Sequence, residues 1–142
     1  LDSGGYAYTS EMRAALRDKQ IAFLHLMFEN GDFGFFDTHL HYIHKNQAMY
    51  YAKVGDNEKA IEHLRHAAEH AIRFIKHMCK ETHTSLLFRN MPEGSFSTTG
   101  TDNDAAELLN SMRQPVFDNI RDTEAFKSIR NELSAYAGKW NV

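Results

Sequence analysis

Between residues 9 and 137 apolar side chains recur at intervals of three and four, and the period-two runs are too short for strands. The pattern predicts an all-α chain of about five helices. The first opens at Thr9 or Ser10, whose hydroxyls cap free backbone N–H groups, and runs to about Glu29 before Asn30-Gly31. Met12, Ala15, Leu16, Phe23, Leu26 and Met27 share one of its faces, and Ile21, Leu24 and Phe28 the opposite one. A helix apolar on two sides is expected to sit sandwiched between neighbours. Asp37 is the expected N-cap of a second helix over residues 38–54, which Gly55 ends. Asp56 or Asn57 caps a third, reaching about Cys79, with Ala60, Ile61, Leu64, Ala67, Ala68, Ala71, Ile72, Ile75 and Met78 on a wide apolar face. Residues 80–101 carry the weakest pattern, and Gly94 to Thr101 reads as a loop. A fourth helix, capped by Asp102 or Asn103, buries Ala105, Leu108, Leu109 and Met112 and stops before Pro115. The fifth runs from near Asp122 to Ala137, on Phe126, Ile129, Leu133 and Tyr136, and stops at Gly138.

Composition narrows the class. The chain has 142 residues, enough for one domain with a real core, and only two prolines interrupt it. The expected domain is residues 9–140, with 1–8 as a linker or remnant. A start at Leu1 followed by Ser3-Gly4-Gly5 reads as the cut end of a longer protein. The formal charge of −3, with Lys and Arg unclustered, offers no attraction to a phosphate backbone, so direct nucleic-acid binding is not expected. One cysteine, Cys79, excludes an internal disulfide framework and suits a reducing cytoplasm. No apolar run of membrane-spanning length appears in the sequence.

The segment from Ala48 to Ala71 gives the pattern a name. Ala48, Ala60 and Ala67 are small where two helices must touch, and Tyr51 and Leu64 are large where each reaches a neighbour, across a turn at Gly55-Asp56. This spacing resembles a tetratricopeptide repeat, a helical hairpin that buries its apolar face by stacking on another. His44 stands where that repeat usually has a large apolar residue and Ile72 where it often has proline, so the repeat is degenerate. GDNEKAIEHLRHAAEHAIRF, THTSLLF and FDNIRDTEAFKSI together resemble the C-terminal region of Xre-type helix-turn-helix regulators of Firmicutes, over about residues 40–137. Phe117, Ile120, Arg121 and Phe126 share an order common in the terminal repeats of those proteins. The resemblance implies antiparallel hairpins stacked as a tetratricopeptide-like array that binds a ligand or partner and biases a DNA-binding domain. No three-helix DNA reader is found in this chain.

Nine histidines invite a search for chemistry. His39, His41 and His44 cluster on the second helix, and His63, His66, His70 and His77 lie within about 60° of one another around the third. His66-Ala67-Ala68-Glu69-His70 is a literal H-x-x-E-H, in which two histidines ligate zinc and the glutamate activates water in peptidases of that type. The simpler reading takes these as solvated side chains beside Glu62, Arg65 and Arg73, with no third ligand and no walled cleft. Cys79 falls at a helix C-terminus, where the dipole disfavours a thiolate. Gly94 to Gly100 lacks the lysine and preceding strand of a phosphate loop. No enzyme, metal or cofactor is therefore expected; His66 and His70 are the only metal candidates.

A recognition surface remains. Tyr42, Lys45, Met49 and Lys53 fall along one stripe of the second helix, where tetratricopeptide arrays hold an extended peptide or a partner helix. The expected function is a ligand- or protein-binding effector or dimerisation domain of a bacterial transcriptional regulator, non-catalytic, cytoplasmic and homodimeric. Its ligand would be a peptide, a small molecule or a protein. The alternatives are a stand-alone scaffold for protein–protein interaction and a zinc-dependent hydrolase built on the H-x-x-E-H motif.

Overall fold

A computed structural model describes residues 7–77, 83–89 and 103–138. The readings of Cys79 and of the Gly94–Thr101 loop lie outside these residues. Five helices form: α1 (Ser10–Met27), α2 (Phe36–Val54), α3 (Asn57–His77), α4 (Asp104–Met112) and α5 (Glu124–Ala137). One-turn 3-10 helices at Leu86–Phe88 and Pro115–Phe117 complete the described chain, which contains no strand.

Local chemistry sets most of the ends. Thr9 Oγ1 accepts from Met12 N, Asn103 Oδ1 from Ala106 N and Thr123 Oγ1 from Phe126 N, each satisfying one free donor of a first turn. Asp56 caps α3 in the same way, through Lys59 N. Gly55 closes α2 in the left-handed region (φ 86°), and Asp56 N bonds back to Tyr51 O at 2.9 Å. Those two features turn the chain sharply enough to lay α3 antiparallel on α2. Asp37 departs from expectation. The cap position of α2 is Phe35, in a helical conformation and without a side-chain cap, and Asp37 lies inside the first turn, fully buried. Its carboxylate is drawn inward by cationic and imidazole donors from α3, described below.

Packing follows the small/large pattern. Ala48, Ala60, Ala67 and Ala71 have no exposed surface, so the α2 and α3 backbones approach closely, and Leu64 fills the space beyond them. α4 and α5 lie against α3 and extend this core with Leu108, Met112, Phe117, Phe126, Ile129 and Leu133. Arg121 braces the α4–α5 connection by donating to Met112 O and Gln114 O. A second, smaller apolar cluster holds α1: Leu24, Phe28, Phe33 and Leu40, with Phe88 stacked on Phe28 at 4.8 Å. The strap carrying Phe88 is tied down where His83 Nδ1 donates to Asp32 O and Ser85 Oγ to Asp32 Oδ1. Among the described residues α1 is covered on one side and not sandwiched: Leu24 and Phe28 are buried, but Met12, Leu16, Phe23 and Leu26 are exposed. Among the described residues no helix is long and apolar enough to cross a membrane.

Candidate functional site

Between the two apolar clusters runs a layer of buried polar groups. On α2, Asp37, Leu40, His44 and Gln47 follow one another at intervals of three and four, the spacing of a single buried face. That face meets α1 and α3. Asp37 Oδ1 accepts from His70 Nδ1 at 2.8 Å and from Arg73 Nε at 3.3 Å, and Arg73 Nη2 reaches Gly31 O. Because a carboxylate only accepts, the His70 proton on this bond sits on Nδ1. Asp37 Oδ2 is buried and accepts no hydrogen bond among the described residues. About two turns along, His44 Nδ1 and His63 Nδ1 are hydrogen-bonded at 2.9 Å. About one turn further, Gln47 is held by Arg17 Nε, Ala14 O and Asp18 Oδ1, which clamps α1 onto α2.

Of this layer, His44, His70 and Arg73 line an open recess of about 370 Å³ between α1 and α3. His44 forms its base, His25 comes from α1, and His66, Glu69, His70 and Arg73 come from α3. The imidazole of His44 stands 5.0 Å from that of His66 and 5.6 Å from that of His70, centre to centre. Phe33 meets His25 and His70 edge-on. Burial, reinforced by His70, His63 and His66, drives the pKa of His44 down to about 2, so this imidazole is neutral at physiological pH. Burial also lowers His25 and His63. Neutral imidazoles offer one donor and one acceptor each, together with flat polarisable faces. A small planar polar group would find stacking surfaces and hydrogen-bond partners of both kinds here.

The histidines of α3 are thus not plain surface residues. His70 is buried, His44 is buried beneath it, and His63 and His66 are half-buried. Within the H-x-x-E-H motif, His66 Nδ1 approaches Glu69 Oε2 at 3.5 Å while His70 turns inward to Asp37. Among the described residues no group of three or more His, Cys, Asp or Glu is arranged to hold a metal ion. His41, the other buried histidine of α2, donates from Nδ1 to Asp104 Oδ2 at 3.0 Å and ties α2 to α4.

The predicted stripe on α2 is divided by its neighbours. The Tyr42 hydroxyl donates to Glu107 of α4, and Lys45 Nζ lies 4.5 Å over the Tyr42 ring. Met49 packs partly against the main core, and Lys53 is exposed. Met49 and Lys53 line a separate open depression of about 400 Å³ with Arg13, Arg17, Tyr50 and Val116. Tyr42 and Lys45 do not take part in it. Ala48 and Tyr51 mark only the side of α2 that packs on the main core and give no sign of the recess. The run Asp37, Leu40, His44, Gln47 was the available signal, with polar residues in the places of a buried line.

No protein-family model matches this chain, and neither curated proteins nor solved structures show a match to it.

Proposed function

We propose that this chain is the effector domain of a bacterial transcriptional regulator, a non-catalytic helical-hairpin module that binds a small molecule or a short peptide segment. The observation that carries the reading is the recess between α1 and α3, floored by neutral His44 and walled by His25, His66, His70 and Arg73. Buried polar residues cost stability unless every group is satisfied, and among the described residues Asp37 Oδ2 has no hydrogen-bond partner. A fold that keeps so polar a layer between two apolar clusters is using it for recognition. The hairpin organisation supports the regulator reading: α2 and α3 pair closely, α4 and α5 pair again, and α3 joins the two. This pairing supports a reading as stacked hairpins, the arrangement that the resemblance to the C-terminal repeats of Xre-type regulators implies. In the coding sequence upstream of residue 1 the reading expects a helix-turn-helix DNA-binding domain.

A thermal-shift screen tests the binding role. Small carboxamides, free amino acids and dipeptides are the probes, because they carry planar groups that both donate and accept. A ligand that binds only the folded state raises the melting temperature by mass action. The reading expects at least one probe class to stabilise the wild type and to leave His44→Leu unchanged. Probes that stabilise both proteins equally, or neither, contradict it.

A further inference from the structure

The outer face of α1 has no covering element among the described residues. Met12, Leu16, Phe23 and Leu26 on that face are 42–73% exposed, and with Lys19 they follow the alternating four-three spacing of a coiled-coil seam. Ala15 and Ala22 flank the seam with small side chains that allow close approach. At its C-terminal end the strap presents Leu86 and Leu87, also exposed, where Leu86 N donates to Glu29 Oε1 at 2.6 Å.

We propose that this face is a homodimer seam on which two copies pair antiparallel, about an axis beside residue 21. The charge pattern selects the arrangement. A parallel pair would place Lys19 against Lys19 in one layer, two like charges taken partly out of water. The antiparallel register sets Lys19 over Phe23 of the second copy, a cation on an aromatic face, and Leu16 against Leu26 of the second copy. Ala22 then meets Ala22 across the axis, and the Met12 end of each helix reaches the Leu86–Leu87 strap of the other copy. Every exposed large apolar residue of the seam thereby gains a cover. Phe28 and Phe126 are buried inside the fold and take no part.

The inference goes beyond the ligand-binding reading and does not depend on it. Solution mass decides it, whatever the recess binds. Sedimentation equilibrium at protein concentrations on the order of 100 µM is expected to show a dimer, and Phe23→Glu to weaken it roughly 100-fold. Phe23 is exposed in the monomer, so the circular dichroism of that variant should match wild type. Orientation is read in a Cys79→Ser background with a short bis-maleimide. Ala22→Cys is expected to cross-link to a dimer, whereas Met12→Cys, some 27 Å from its copy in the antiparallel register, is not. A wild-type monomer, a dimer that survives Phe23→Glu, or a dimer cross-linked through Met12→Cys would each overturn the proposal.

Discussion

His44 shows how much one buried side chain can govern. Its imidazole is surrounded by His63, His66 and His70, with His25 across the recess, and it remains neutral because burial and those neighbours oppose a charge. The carboxylates at the layer are Asp37, already engaged by His70 and Arg73, Glu69 beside His66, and Asp18, which accepts from Gln47 and with Glu62 partly opposes the lowering of His63. Since the folded pKa is about 2 and the unfolded value 6.5, the unfolded chain binds one more proton throughout that interval. Stability is therefore complete above about pH 6.5 and falls as the solution is acidified towards pH 2. Between pH 7 and pH 5 the loss from this residue alone should be about 2 kcal/mol, and the lowered His25 and His63 act in the same direction. Urea unfolding at those two pH values measures it. His44→Leu should remove most of the acid sensitivity, and an unchanged slope in that variant would assign it to other groups. Asp32 adds a separate effect in stronger acid. Burial pushes its carboxyl up, but hydrogen bonds from Ser85 and Thr84 outweigh this and hold it at about 2, so its contribution is lost only as pH falls below about 3.8.

At the level of elements, the sequence was most legible where one residue dictates one local geometry. Thr9 and Asn103 cap helices, Gly55 turns the α2–α3 hairpin, and Gly138 stands just past the end of α5. Ala60 and Ala67 were legible as contact residues, because only small side chains fit where two helix backbones close. Enlarging either should cost about 1–3 kcal/mol through overpacking. Thermal unfolding of Ala60→Leu and Ala67→Leu checks this, and wild-type melting in both would remove them from the interface. Less was legible where a polar residue has two plausible places. Asp37 has the chemistry of a cap and lies in a helix's first turn, yet the donors that decide its position come from α3, 33 and 36 residues away. The histidines of α3 were misplaced for the same reason. Periodicity orders residues around one helix, but which face a neighbour covers depends on where α1 lands.

For the whole molecule the consequence is a division of labour. The core shared by α2 to α5 is apolar and built on close alanine contacts, and the cluster beneath α1 is smaller and aromatic. Between them the polar layer joins α1 to the rest through Gln47 and opens into the histidine-lined recess. A ligand seated there would touch α1 and α3 together and so couple its binding to the helix that carries the exposed seam. Three depressions compete for the role of binding site among the described residues: this recess, the one lined by Met49 and Lys53, and one of about 480 Å³ lined by Ile61, Glu62, Arg65 and Ile120. Amide chemical-shift mapping on 15N-labelled protein, titrated with the stabilising carboxamide or dipeptide, separates them most directly. The account predicts perturbations concentrated at His25, His44, His66, His70 and Arg73. Shifts centred instead on Arg13, Met49 and Lys53 would contradict it.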